Sequence, residues 1–410
     1  MAGLYIHIPF CASRCIYCGF YSTTLLDMRQ QYVDALCREM ELRTQAAGGR
    51  TAGATVPTGS PTGISTIYLG GGTPSQLTIP QLEQLFIYIN KVYVSPRYFS
   101  HLKEGVWHAM EGDGEKLEIT IEANPDDVTP EFAETLSRLG INRVSMGAQT
   151  FDDQRLRFLH RRHTAAQVPM AVQILRDAGI HNISIDLMYG FPNETLDDWQ
   201  RDIDAALSLD VEHLSAYCLS IEEGTPLRQW IIDNGQLIMD EETERAMYYE
   251  LIDRLTAAGY EHYEISNFAR PGYRSRHNSS YWNDIPYIGL GAAAHSYTVP
   301  DGSSVGLFPV RSWNTADIRQ YIDAINRGKR PYEQEVLDDD TRYNDRITTA
   351  LRTSDGLNLA TLSDRHRRYC MQEARKLLED GLLRLTNNHL TLTRQGLFVS
   401  DMVMSSLMMV

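Results

Sequence analysis

The chain predicts an α/β fold: a partial (β/α)6, TIM-like barrel followed by a small C-terminal winged-helix-like helical domain. Three observations predict it. Within the first 260 residues, six β-rich runs each give way to a stretch of 3.6-residue apolar periodicity. Residues of unusual chemistry gather at the C-terminal ends of those runs, where parallel α/β sheets place their sites. From Tyr332 onward the pattern changes to helical stretches and a hairpin.

The expected strands are Leu4–Phe10, Ser65–Leu69, Leu117–Ala123, Arg143–Gln149, Asn182–Tyr189 and His213–Ser220. Val33, Leu36, Cys37 and Met40 line one face of the first helix. Phe132, Leu136 and Leu139 line the third, which Gly140 stops. Leu196, Trp199, Ile203 and Leu207 line the fifth, and Met247, Leu251 and Leu255 the sixth, which ends at Gly259. Strands alternating with helices imply a parallel sheet with helices outside. Two segments read as insertions: Thr44–Gly63, rich in Gly, Ala, Thr and Pro, and Tyr98–Lys116, which has no clear period. The expected organisation is a barrel with a ligand-binding extension over 1–300, a linker over 301–331, and the small domain over 332–410. In that domain, helices around Asp345–Arg352 and Ser363–Asp380 precede a run, Leu382–Thr393, that alternates about Asn387-Asn388. The Met-rich end reads as a terminal helix.

Composition narrows the function. The chain has 410 residues, 43% of them hydrophobic and 22% charged, which is ordinary for a globular protein. Its net charge of −15 argues against nucleic acid as the main partner. No run of about 18 apolar residues offers a membrane span. Peripheral membrane contact stays compatible with the chain. No secretory leader is expected before the first strand. Six cysteines in so long a chain do not make a disulfide scaffold, and a reduced cytoplasm is expected.

Cys11, Cys15 and Cys18, spaced C-x3-C-x2-C directly after the first strand, carry the strongest signal. Structural zinc wants four ligands, usually as two pairs, and no second C-x2-C exists. A redox disulfide motif needs only two cysteines. Three thiolates can hold three irons of a cubane cluster and leave the fourth open to a small molecule. Further strand ends add Gly70-Gly-Gly-Thr-Pro74, Glu122-Ala-Asn-Pro125, Gln149, and Asp186 with Gly190-Phe-Pro192. As plain structure these would be a tight turn, a solvated acid, and an acid needing a donor in an apolar run. Arg161 and Arg162 are equal candidates for clamping a carboxylate.

The three-cysteine loop, with Tyr17 before its last cysteine, resembles the signature of radical S-adenosylmethionine enzymes. The resemblance implies a partial (β/α)6 barrel and a [4Fe-4S] cluster on Cys11, Cys15 and Cys18. It also implies S-adenosylmethionine on the open iron, cleaved by a cluster electron to methionine and a 5′-deoxyadenosyl radical. By the same likeness Gly71, Gly72 and Thr73 meet the methionine amino group, Glu122 hydrogen-bonds the ligand, Gln149 and Arg161 lie by its carboxylate, and Asp186 by its ribose. Tyr5 is implied beside cofactor and substrate.

Tyr5-Ile-His-Ile-Pro-Phe-Cys11, Gly70-Gly-Gly-Thr-Pro-Ser75 and Ile185-Asp-Leu-Met-Tyr-Gly-Phe-Pro192 together resemble the anaerobic coproporphyrinogen III oxidase family. One branch of it decarboxylates propionate side chains; the other binds heme and delivers it. The oxidase branch has a fourth cysteine two residues after the third, where this chain has Phe20. It also has an arm before its first cysteine, which is not expected here with Cys11 so early. His277-Asn-Ser-Ser-Tyr-Trp282 resembles the H-N-x-x-Y-W motif of the chaperone branch. The match runs from Tyr263 through Gly289-Leu-Gly-Ala-Ala-Ala-His-Ser-Tyr297. The likeness implies heme as ligand, heme-accepting proteins and an electron donor as partners, and His277 as the leading heme ligand. His295 is a second candidate, and Tyr281 and Trp282 are expected to stack on the macrocycle. Gly19, where that branch usually has Asp, and the Thr44–Gly63 insertion depart from the pattern.

Overall fold

The computed structural model describes residues 2–46, 63–93, 117–235, 239–299 and 308–409. The expected insertion at Tyr98–Lys116 and most of that at Thr44–Gly63 lie outside the described residues.

Strands β1 (Ala2–Ile8), β2 (Ile64–Gly71), β3 (Glu118–Ala123), β4 (Arg143–Gln149), β5 (Asn182–Tyr189) and β6 (His213–Cys218) pair in chain order, all parallel. These are the six expected strands, shifted by a residue or two at their ends. Each is followed by a helix: Arg29–Ala46, Ile79–Val92, Pro130–Arg138, Gln167–Asp177, Leu196–Ser208 and Glu241–Ala257. The helix starts follow from side-chain chemistry. Thr129 accepts from the Phe132 amide at 3.2 Å with Pro130 behind it, and Thr195 and Asp198 form a reciprocal cap. Gly140 and Gly259 end their helices in the left-handed region, with φ of 77° and 88°.

The sheet continues past this core on both sides. β7 (Glu261–Glu264) and β8 (Asn267–Ala269) follow β6 antiparallel, while β9 (Tyr287–Leu290) lies parallel to β1. β10 (His295–Thr298), β11 (Val310–Asn314) and β12 (Tyr332–Val336) then add antiparallel beyond β9. The order β12-β11-β10-β9-β1-β2-β3-β4-β5-β6-β8-β7 has two free edges, so the barrel is partial.

The stretch that reads as a linker and the start of the small domain behaves differently. Its described part carries β11, the helix Ile318–Asn326 and β12, all of them on the main sheet or its core. The charge-rich sequence hides this, because β12 is an edge strand whose residues are all exposed. Glu39 fastens this extension to the barrel. Its fully buried carboxylate pairs with Arg43 at 2.8 Å and accepts from Asn314, Tyr321 and the Gly291 amide at 3.0, 2.7 and 2.9 Å.

The C-terminal unit has its own core, built on Tyr343, Ile347, Cys370, Leu377, Leu390 and Val403. Its small sheet is ordered β13 (Leu357–Asn358), β15 (His389–Leu392), β14 (Leu383–Thr386). Asn387 and Asn388, with φ of 49° and 66°, make the two-residue hairpin turn. Helices Asp339–Ala350 and Asp364–Glu379 support the hairpin, and the Met-rich end packs as Ser400–Leu407.

The two faces of the parallel core differ in kind. Leu4, Ile6, Ile67, Leu69, Ile119, Ile121, Val144, Met146, Ile183, Ile185 and Leu214 point outward and pack with the helices. The alternate residues point inward and are polar. Thr66, Glu118, Thr120, Arg143, Ser145, Ser184, His213 and Ser215 are all buried. The two-residue period of a strand makes this separation. The helices bury the outer face, while the inner face encloses a polar lumen.

Candidate functional site

The lumen opens at the C-terminal ends of β1–β6 into a cavity of about 720 Å3. Cys11, Cys15, Cys18, Tyr17, Gly71, Gly72, Thr73, Glu122, Gln149, Arg161 and Asp186 all line it. The strand ends therefore bring eleven of the thirteen expected site residues to one space. Tyr5 and His277 are not among the lining residues.

The cysteine loop is pinned at both ends. The Cys11 amide donates to the Thr23 carbonyl at 2.9 Å, and the Ile16 carbonyl accepts from the Leu227 amide at 2.9 Å. Ile16 is the loop's apolar anchor, packed with Leu159, Met188, Phe191 and Leu227. All three cysteines are free thiols and half-exposed to the cavity. Two donors already point at sulfur: Thr73 Oγ1 at 3.6 Å from Cys11 Sγ, and Arg161 Nη1 at 3.7 Å from Cys15 Sγ. Burial pushes the Cys11 and Cys18 thiols up, and a bound cation would favour the thiolate. Among the described residues no three His, Cys, Asp or Glu side chains converge as a single-ion site. Three soft donors on one loop, met by a cation and a hydroxyl, fit the corners of an iron–sulfur cluster instead.

The glycine turn after β2 does two jobs. Gly71 has φ of 111°, and a Cβ there would lie 2.3 Å from the His7 ring. A Cβ on Gly72 would lie 2.7 Å from the Pro9 backbone. The glycines thus let β1 and the cysteine loop close against β2. The Gly71 amide also donates to Glu122 at 3.0 Å, and Tyr68 donates to the same carboxylate at 2.8 Å. Burial nevertheless raises Glu122 to about 7. Asp186, raised by burial as well, receives Ser145 Oγ at 3.3 Å. Burial raises the Tyr17 hydroxyl too, and the nearby Cys15 adds to it. Gln149 sits at a bulge with φ of 68°, and this unusual backbone lies at the mouth of β4.

Geometry separates the two arginines. Arg162 pairs with Asp126 and Asp127, both at 2.8 Å. Arg161 Nη2 donates to Asn124 at 2.7 Å and to the Gly147 carbonyl at 2.6 Å, and Nη1 faces Cys15. Its Nε has no partner. Burial works against the Arg161 charge, but Tyr17 and Cys15 hold its pKa high.

His277 takes another place. It lies near the start of the helix Arg276–Trp282, whose first amides, those of Arg276 and His277, donate to Glu118 at 3.1 and 3.0 Å. Its ring is 1% exposed, with Nδ1 2.9 Å from Thr66 Oγ1 and Nε2 2.8 Å from the Tyr281 hydroxyl. Both nitrogens are engaged, so binding an iron requires one of those bonds to break. The motif read as one unit in the sequence is divided in space. Asn278 lines the lumen, whereas Tyr281 and Trp282 line a second crevice of about 430 Å3 against the C-terminal unit. Tyr287, Tyr297, Arg311, Arg342 and Arg346 line that crevice as well. Tyr5, expected beside the cofactor, shares a hydrogen bond with His7 Nδ1 at 3.0 Å, and its ring centroid lies 6.4 Å from that of His277. His295 is exposed and stacks on Trp313 at 5.9 Å. Phe20, where the oxidase branch has its fourth cysteine, is 73% exposed.

Reading from the sequence missed Tyr68, Arg143, Ser145 and Ser215, which also line the cavity. The signal was the two-residue alternation of polar residues within strands flanked by apolar ones, as in Arg143, Ser145, Gly147 and Gln149 of β4.

A parallel partial barrel with a three-cysteine loop at its mouth defines a radical S-adenosylmethionine protein. Residues 5–206 match the model of the Radical SAM superfamily, and residues 337–399 that of the HemN C-terminal domain. The chain belongs to the family of the heme chaperone HemW. It is 32% identical to the protein of that name from Bacillus subtilis over 98% of each chain. The Escherichia coli protein of that name is 33% identical, over 73% of this chain and 71% of its own. Coproporphyrinogen III oxidase (HemN) from Escherichia coli shares the fold, with a TM-score of 0.77 at 20% identity over 99% of this chain and 89% of its own. Membership of the superfamily implies a [4Fe-4S] cluster and S-adenosylmethionine.

Proposed function

We propose that this chain binds heme and passes it to recipient proteins, with a [4Fe-4S] cluster on Cys11, Cys15 and Cys18 and S-adenosylmethionine beside it. The observation that carries the reading is the end-to-end likeness to proteins named as heme chaperones, 32% identical over 98% of both chains. The site supports it. The cysteines share one cavity with the residues expected to hold S-adenosylmethionine. When bound, the cluster supplies an electron and an open iron. In this reading Arg161 and Gln149 orient the carboxylate of S-adenosylmethionine, Gly71, Gly72 and Thr73 meet its amino group, and Glu122 and Asp186 accept its hydrogen bonds. Tyr17 closes the cluster side of the cavity. The crevice beside Tyr281 and Trp282, walled by aromatic rings and arginines, suits a flat macrocycle with anionic side arms.

Acceptor proteins and an electron donor belong to this reading, as does a cytoplasmic location. Among the described residues no helix is long and apolar enough to cross a membrane.

The test is a heme titration of anaerobically reconstituted protein, followed by transfer to an apo-hemoprotein. A Soret shift and transfer are expected. His277→Ala and His295→Ala then show which imidazole binds iron, since the ligand's loss alters the Soret band. Conversion of coproporphyrinogen III to protoporphyrinogen IX with S-adenosylmethionine and a reductant would overturn the chaperone reading in favour of the oxidase. A Cys15→Ala variant is expected to lose its cluster iron; full retention would overturn the cluster assignment.

A further inference from the structure

Three arginines line the crevice against the C-terminal unit, and they are unequally satisfied. Arg311 on β11 pairs with Glu335 at 3.2 Å and also with Asp345. Arg342 and Arg346 lie one turn apart on the helix Asp339–Ala350, and so on one face of it. Arg346 Nη1 donates to the Thr361 carbonyl at 2.9 Å and Nη2 to Asp284 Oδ2 at 3.2 Å. Arg342 reaches the same Asp284 oxygen only at 3.9 Å, too far for a hydrogen bond, and its buried Nε has no partner. Two guanidinium groups therefore share one carboxylate.

Asp284 comes from the other wall of the crevice. It lies just beyond the helix Arg276–Trp282, with φ of 56°, a left-handed backbone that Asp and Asn adopt more readily than other side chains. The Tyr297 hydroxyl of β10 donates to its second oxygen. One carboxylate thus meets two cations and a phenol. The side chains of Asp284, Arg342 and Arg346 are 36%, 30% and 31% exposed. Ion pairs this wet hold weakly, so another carboxylate can take the place of Asp284 easily. Beside the pair, the rings of Tyr281 and Tyr287 meet edge to face at 4.6 Å and wall the same crevice.

We propose that Arg342 and Arg346 receive a propionate of heme, and that Asp284 is the chain's own carboxylate holding that place until the ligand arrives. The choice of ligand rests on the proposed function; Arg342, Arg346 and Asp284 add to it the groups that read the acidic arms. A planar guanidinium fork matches a carboxylate bidentately, and Arg342 has donors to spare. When the propionate takes those donors, Asp284 turns to the solvent that it already half faces. One anion replaces another, and no proton need move. Asp284 therefore opposes heme binding, whereas an acid that merely latched the two walls of the crevice together would support it.

The experiment measures binding of heme and heme dimethyl ester to the reconstituted full chain as wild type, Asp284→Asn and Arg342→Gln, with thermal unfolding as a check on folding. The wild type is expected to prefer heme over its diester at least tenfold. Arg342→Gln is expected to lose at least fivefold for heme and to bind the diester within twofold of wild type. Asp284→Asn keeps the shape and the backbone tolerance, and is expected to bind heme at least threefold tighter with the diester unchanged. Heme binding by Asp284→Asn that is unchanged or weaker overturns the proposal. So does a loss in Arg342→Gln that is equal for heme and diester. If Arg342→Gln does not fold, Asp284→Asn decides the matter alone. A wild type that binds heme and diester alike overturns this site and leaves the chaperone reading standing. Absence of heme binding by the wild type defeats the chaperone reading and the site with it.

Discussion

Nε2 of His277 lies 2.8 Å from the hydroxyl of Tyr281, one helical turn further on, while Nδ1 reaches Thr66 on β2. This imidazole joins the motif helix to the barrel. Burial lowers its pKa to about 3, so it stays neutral. His277→Ala leaves the buried Thr66 hydroxyl and the half-buried Tyr281 hydroxyl without this partner, each costing up to about 1–3 kcal/mol. A loss of roughly 2–4 kcal/mol is expected in chemical denaturation of the apoprotein. His277→Gln, which offers both a donor and an acceptor, is expected to recover part of it; equal stability of the alanine variant and wild type would refute this role.

Glu122 gives the site a pH signature. Its folded-state pKa, about 7, lies above the ordinary 4.5 because burial disfavours the charge. A raised acid contributes its stability fully below pH 4.5 and loses it as pH rises through 7. Glu122→Gln is therefore expected to be more stable relative to wild type at pH 8 than at pH 5. Urea unfolding of both apoproteins at the two pH values checks this, and a difference independent of pH would count against it. His7, His163 and His277 act in the opposite sense, since burial lowers them to about 4, 4 and 3. Their stability is present above pH 6.5 and fades as pH falls toward those values.

Gly71→Ala combines a left-handed backbone with a Cβ placed 2.3 Å from the His7 ring. The ring is held by Tyr5 and by the Tyr21 carbonyl, both at 3.0 Å, and cannot swing away freely. A loss of about 1–3 kcal/mol is expected, together with weaker S-adenosylmethionine binding by calorimetry. Gly179→Ala is the control: it also has positive φ, at 84°, but nothing lies within 4 Å of its Cβ. It should lose less stability and leave binding intact.

Glu39 binds the β9–β11 extension to the first helix, far from the cysteines. Removing one member of such a buried ionic network costs about 3–5 kcal/mol. Glu39→Ala is expected to show that loss in thermal or urea unfolding. Hydrogen exchange should quicken first around Gly291 and Asn314, whose contacts it removes.

The β-rich runs, each followed by a helical period, made the parallel core legible, and the cysteine spacing made the mouth of the cavity legible. Both are local patterns that the sequence carries over a few residues. The rest depended on separation in space. Nothing near Arg161 or Arg162 distinguishes them; Asp126, Asp127 and Asn124, more than thirty residues away, do so. The H-N-S-S-Y-W segment looks like a single recognition unit, yet a seven-residue helix turns Asn278 and Trp282 toward different cavities. β12 was missed because a fully exposed edge strand has no apolar face to mark it.

The cohesion of this barrel resides in its coat, where outward Leu, Ile and Val side chains meet the helices. Deep in its interior, buried polar pairs such as Thr66 with His277 and Ser184 with His213 hold the strands, and only the inward residues that line the cavity, such as Ser145 and Ser215, are released from the ordinary demand of filling space. At those positions one side chain can be exchanged for another at modest thermodynamic risk. New ligand preferences can thus arise by substitution at the mouths of the strands while the surrounding shell keeps its shape.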